Sequence, residues 1–184
     1  MHKKITLTLL FSFLFAGLSQ VQAQSDYREV GTRFASFDNF GIIYKKETAE
    51  NKLTRYNLAF TSLNLSESSG QTVFSGGLSF GIGWEKRKQV SDKLMFIHGF
   101  SPSFTFGYAN ASGGGGSTSS LGINLGYVLG LQYNISDELY FNIETVPGFV
   151  SNAAFRPGAN VYNFGIRGDS QSAALTLAYR FRKR

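Results

Sequence analysis

The chain has 184 residues and a formal net charge of +6, with 21 Gly, 18 Phe, 9 Tyr, 3 Pro and no cysteine. The absence of cysteine excludes disulfides, thiolate metal sites, a cysteine nucleophile and a lipid-modified N-terminal cysteine. The basic residues are scattered and end in Arg182-Lys183-Arg184, whereas a nucleic-acid footprint needs a clustered basic stripe, so no nucleic-acid partner is expected.

In chain order, residues 1–23 read as a cleaved signal peptide. Lys3 and Lys4 form a charged start, an apolar run follows from Ile5 to Leu18, and Val21-Gln22-Ala23 supplies a small-residue cleavage site. The run is shorter than the ~20 residues a spanning helix needs. The mature domain is therefore expected to be 24–184. Within it, no apolar segment is long enough for a membrane helix, so a membrane-spanning form would have to be a closed barrel, in which no backbone group lacks a partner.

Strands are predicted at 27–36, 39–48, 52–65, 73–89, 94–108, 120–134, 139–150 and 161–181. The clearest is LGINLGYVLGLQYN at 121–134. Its odd positions are all large and apolar, from Leu121 to Tyr133, while its even positions are mostly Gly, Asn and Gln. A period of two over this length means a strand with two unlike faces. Water-facing strands carry Lys, Glu and Thr rather than rows of Gly and Asn, so the inverted orientation is expected: bulky face to lipid, small face to a narrow interior. Phe74, Leu78, Phe80, Ile82 and Trp84 alternate with Ser and Gly in the same way, as do Phe96, Phe100, Phe104 and Phe106. The parity changes between Phe164/Ile166 and Leu175/Leu177, which predicts a bulge near 168–172. Tight polar turns are expected at 49–52, 89–93 and 135–138, on the periplasmic side. Longer external loops are expected at 65–72, 109–119 and 151–160.

These features together define the expected fold: all-β, an eight-stranded antiparallel up-and-down transmembrane β-barrel preceded by a signal peptide. The signal segment, the alternating strands, the Ser-Asp turns and the final LTLAYRF strand resemble the small bacterial outer-membrane β-barrel proteins, of the type labelled outer membrane protein beta-barrel domain. The resemblance implies residence in the outer membrane of a Gram-negative bacterium, contact with its lipid, and delivery to the barrel-assembly machinery through the aromatic C-terminal strand. A monomer is expected. The family is functionally diverse, so fold alone does not give function.

An eight-stranded barrel has an interior just wide enough for side chains. Charges on the inward parity must therefore pair. These are Arg33, Lys45, Arg55, Glu85, Arg87, Glu144 and Arg180, and the sites singled out as a structural luminal network are Arg55, Glu85, Arg87, Glu144 and Arg180. Glu85 and Glu144 are expected to accept from some of Arg55, Arg87 and Arg180. An aromatic girdle is expected at the periplasmic rim, from Tyr44, Trp84, Phe96, Tyr133, Tyr179 and Phe181. His98, alone in the mature chain, falls on the lipid-facing parity near a short turn, and no Ser–His–acid spacing accompanies it. Gly113–Gly116 lacks the Gly-Lys-Ser/Thr ending of a phosphate loop. No catalytic set, cofactor motif or metal-ligand spacing is visible. Expected roles are thus a structural or surface-interaction barrel, then a narrow channel for small solutes, then a soluble exported lipocalin-like barrel with large side chains inside.

Overall fold

The computed structural model describes residues 27–36, 39–68, 71–111, 116–168 and 173–182. Ten strands are formed: β1 (Tyr27–Ser36), β2 (Asn39–Ala49), β3 (Lys52–Ser68), β4 (Gln71–Gln89), β5 (Leu94–Ala111), β6 (Ser117–Asn134), β7 (Leu139–Thr145), β8 (Gly148–Arg156), β9 (Ala159–Arg167) and β10 (Ala173–Arg182). They make eight staves. β7 and β8 both pair with β6 in one continuous register, Leu129 opposite Thr145 and Gly126 opposite Gly148. The stave is interrupted at Pro147, which has no N–H to give the ladder; its carbonyl still accepts from Tyr127 N–H at 2.8 Å. β9 and β10 follow each other along the last stave. β10 pairs with β1 and β5 pairs with β6, so the sheet closes into an antiparallel barrel.

The expected parity change is written in the register of that last stave. Gly148 faces Arg167 and Thr145 faces Ala173, so the register advances three positions on one stave and six on the other; residues 169–172, where the bulge is expected, lie outside the described residues. An odd excess turns the side chains over. Ile166 therefore faces outward with Phe149, and Leu175 faces outward with Ile143, although their numbers differ by nine.

Side chains are sorted as LGINLGYVLGLQYN anticipates. The odd positions of β6 from Leu121 to Tyr133 are exposed and the even positions from Gly122 to Gln132 are buried or half-buried. Phe80, Ile123, Leu131 and Ile143 are each at least half exposed, whereas Lys45, Gln132, Asn142 and Thr176 show no exposure at all. No water-soluble protein gains from that arrangement. It contradicts the lipocalin-like reading, which needs the large side chains inside.

The wall is uneven. β1 has 10 residues, so at a tilt of ~40° it rises roughly 25 Å, about the height of an apolar belt. β4 has 19 residues and rises roughly twice as far. The external loops expected at 65–72, 109–119 and 151–160 are therefore largely strand. β3 and β4 reach Ser68 and Gln71, β5 and β6 reach Ala111 and Ser117, and β8 and β9 meet in a turn at Pro157-Gly158, where Gly158 has φ 83°. Ser, Thr, Asn and Gly suggested loops there. Above the membrane both faces of a hairpin can be polar while the ladder still pairs every backbone group. Among the described residues, β9 pairs only with β8, because β1 and β2 end below it.

Candidate functional site

The lumen is filled by an ionic layer. Glu29 and Arg33 come from β1, Lys45 from β2, Arg55 from β3, Glu85 and Arg87 from β4, Glu144 from β7 and Arg180 from β10. All sit on inward parity, and β5 and β6 complete the layer with Ile97 and Val128.

The pairs form one chain of contacts. Arg180 Nε donates to Glu29 at 2.9 Å. Arg87 donates through both terminal nitrogens to Glu29, at 2.8 and 2.6 Å, and through Nε to Glu85 at 2.7 Å. Lys45 Nζ lies 2.8 Å from Glu85. Arg55 reaches Glu85 at 3.5 Å and grips Glu144 in a fork, at 2.7 and 3.1 Å. Arg33 Nε ends the chain on Glu144 at 2.8 Å. Tyr140 stands among them: its hydroxyl donates to Glu29 at 2.6 Å, and Lys45, Arg87 and Arg180 lie 5.7, 5.3 and 5.6 Å from its ring centroid. Forked guanidinium–carboxylate bonds fix orientation as well as charge, and cations near a ring face gain from its quadrupole.

Small residues make room for this layer. A Cβ on Gly83 would lie 2.7 Å from the Phe100 carbonyl oxygen and 2.9 Å from Arg55 Cγ. A Cβ on Gly130 would lie 3.0 Å from Glu144 Cβ. The alternating glycines thus leave the interior volume that the long cationic side chains occupy.

Of the residues singled out from sequence, Arg55 bonds both Glu85 and Glu144, and Arg87 bonds Glu85. Arg180 does not reach either; its partner is Glu29. Glu29 was missed, and with it the lower half of the network. The signal was present, since Glu29 lies four residues before Arg33 and shares its parity, but Gly31 and Thr32 blur the alternation of β1. The six residues expected to form a girdle lie on the outward face, toward the end with the short turns. Trp84 stacks on Phe100 with centroids 6.5 Å apart, Tyr133 meets Phe141 at 5.5 Å, and Tyr179 OH bonds Glu138 at 2.9 Å. His98 Nδ1 is 3.1 Å from Tyr127 OH, and its ring packs on Phe96, so it belongs to that aromatic surface. Gly113–Gly115 and the signal segment lie outside the described residues. No cluster of metal ligands occurs among the described residues.

The ionic layer divides the lumen. Toward the end with the tall hairpins lies a cavity of about 630 Å³, and toward the end with the short turns one of about 280 Å³. Together these features describe a barrel with an apolar outside and an ionically sealed inside.

No protein-family model matches the chain, and no curated protein matches it. Solved structures do. The major outer membrane protein of Thermus thermophilus superposes with a TM-score of 0.52 at 12% identity, covering 84% of this chain and 99% of that one. Neisserial surface protein A gives 0.49 at 13% identity, with coverages of 88% and 100%. Ail, the attachment invasion locus protein of Yersinia pestis, gives 0.45 at 14%, with 84% and 97%. On the strength of the Thermus barrel and of the closed sheet itself, the chain has the fold of a bacterial outer-membrane eight-stranded β-barrel.

Proposed function

We propose that the protein is an integral, non-enzymatic barrel of the outer membrane of a Gram-negative bacterium, with a structural or surface-interaction role. In this reading residues 1–23 direct export and are removed. The C-terminal strand, with Tyr179 and Phe181 outward, is presented to the barrel-assembly machinery, and the mature chain is a monomer in outer-membrane lipid. The observation that carries the reading is the inverted sorting: apolar side chains cover the outside while ion pairs fill the inside. Such a surface is stable only against hydrocarbon. What meets the exterior is the set of tall hairpins β3–β4, β5–β6 and β8–β9.

A narrow-channel reading draws support from the two cavities that flank one ionic layer. Conduction would require Glu144 and Glu85 to release their arginines, at a cost that keeps the resting barrel closed. Two measurements test the proposal. Boiled and unboiled samples of the membrane-extracted protein are compared by gel mobility, with a heat-dependent shift and outer-membrane fractionation expected. The refolded barrel is then recorded in planar bilayers, where silence is expected. Soluble periplasmic recovery without a shift would refute the membrane reading, and steady conductance altered by Glu144→Gln would favour the channel.

A further inference from the structure

The larger cavity is chemically one-sided. Its lining includes Arg33, Arg55 and Arg167 but no Asp or Glu, whereas the smaller cavity mixes Glu29, Glu47 and Asp92 with Arg87 and Arg180. Beneath its floor, Arg33 and Arg55 share the single carboxylate of Glu144. Across the whole layer five cations, Arg33, Lys45, Arg55, Arg87 and Arg180, meet three carboxylates, Glu29, Glu85 and Glu144. One of the two surplus charges, that of Arg33 and Arg55 against Glu144, adjoins the larger cavity, and Arg167 adds a further cation to its lining, where low-dielectric walls focus the field.

Several polar atoms at this cavity have no protein partner. Arg55 is 1% exposed, and its Nε is buried without a hydrogen bond. The side-chain carbonyl oxygens of Asn57 and Asn124, both in the lining, are likewise buried and unbonded. Arg167 has no carboxylate partner among the described residues. Buried groups of this kind are normally satisfied by something. Ser79, Ser103 and Thr105 add hydroxyls to the same wall. The cavity also extends to Ser36 and Asn39, at the hairpin end of the short β1–β2 wall, so a solute can enter from outside. Its volume falls within the ~300–1,000 Å³ of small-molecule sites.

From this geometry we infer that the external cavity is a binding site for a small hydroxylated carboxylate, of the sugar-acid type. The carboxylate meets the guanidinium groups of Arg33 and Arg167. The hydroxyls donate to Asn57 and Asn124 and accept from the serine hydroxyls, Thr105 Oγ1 already donating to Ser79 at 3.2 Å. Acetate would satisfy the arginines but leave the asparagine acceptors unbonded, and a neutral sugar would leave the charge uncompensated.

The test uses the refolded mature chain in nanodiscs, titrated calorimetrically with galacturonate, galactose and acetate. Saturable binding of galacturonate is expected, about tenfold tighter than either comparison compound, since each lacks one or more charge-assisted or buried hydrogen bonds. Arg167→Gln, which leaves the ionic layer intact, is expected to weaken galacturonate about tenfold and galactose little. The absence of saturable galacturonate binding would overturn the inference. So would equal affinity for galactose, equal affinity for acetate, or unchanged binding in Arg167→Gln. The heat-dependent gel shift of each preparation, read alongside, separates loss of the barrel from loss of the site.

Discussion

Glu144→Gln keeps the shape of a fully buried side chain and removes its charge. In the native barrel Glu144 accepts two bonds from Arg55 and one from Arg33. The amide offers one acceptor oxygen, and its NH₂ group faces guanidinium donors. Removing one partner of a buried ion pair costs about 3–5 kcal/mol, because a charge is left without compensation. Two features place the expected loss near the lower bound. Arg33, with its side chain 21% exposed, can turn into the external cavity, and Arg55 keeps Glu85 within 3.5 Å. The expected destabilisation is therefore about 3 kcal/mol. Arg33→Gln is the control, since it leaves Glu144 held by the Arg55 fork and should cost about 1 kcal/mol or less. Both variants are refolded into lipid vesicles and unfolded in urea, with the single tryptophan, Trp84, as the probe. Equal losses for the two variants, or a loss in Glu144→Gln no greater than the control value, would refute the claim that Glu144 anchors the layer.

Gly83→Val, which drives a side chain against Arg55 Cγ and the Phe100 carbonyl, is expected to cost about 1–3 kcal/mol in the same unfolding assay, while Gly168→Ala, with nothing among the described residues within 4 Å of its Cβ position, changes stability little. Leu177→Arg, on the outward face midway along β10, is expected to cost about 2–4 kcal/mol, as for a cation at the bilayer midplane. Leu65→Arg lies on the tall β3–β4 hairpin, and its effect should be near zero; comparable losses at both positions would contradict the height assigned to the belt. Trp84 is 53% exposed on the outward face, so its fluorescence should be quenched by brominated lipids and protected from aqueous iodide. The reverse pattern would place the bulky face in water.

Most of the barrel is legible in the sequence because its two faces differ so strongly. Where Gly alternates with Phe or Leu, as in β4, β5 and β6, the strand and its orientation can be read together. Even the irregular last stave left a trace, in the parity change between Ile166 and Leu175. Two kinds of information were harder to recover. The upper hairpins lose the apolar face once they leave the belt, so 109–111 and 117–119 read as loop although they lie within paired strands. Partner choice in the lumen depends on which staves face each other across the interior. Sequence puts Arg180 on the inner face, but only closure of β10 against β1 brings it to Glu29 rather than Glu144.

The ionic layer also helps to specify that closure. A lumen lined with Leu and Val could be equally stable, since buried ion pairs rarely outperform well-packed apolar side chains. It would, however, leave each strand apolar on both faces, with nothing to distinguish inside from outside. With the charges present, slipping β3 or β4 by one residue would turn Arg55, or Glu85 and Arg87, toward lipid and bring Tyr56 or Trp84 into the lumen. At girdle depth each arginine turned toward lipid would cost up to about 1 kcal/mol, and the larger penalty is that each abandoned carboxylate would remain buried without its partner. The penalty falls on six of the eight staves, those that carry a member of the network. The same residues that seal the lumen thus penalise a slip of any of these six staves, and Arg33, Arg55 and Arg167 beside the single Glu144 leave the external cavity positively charged once the correct register has formed.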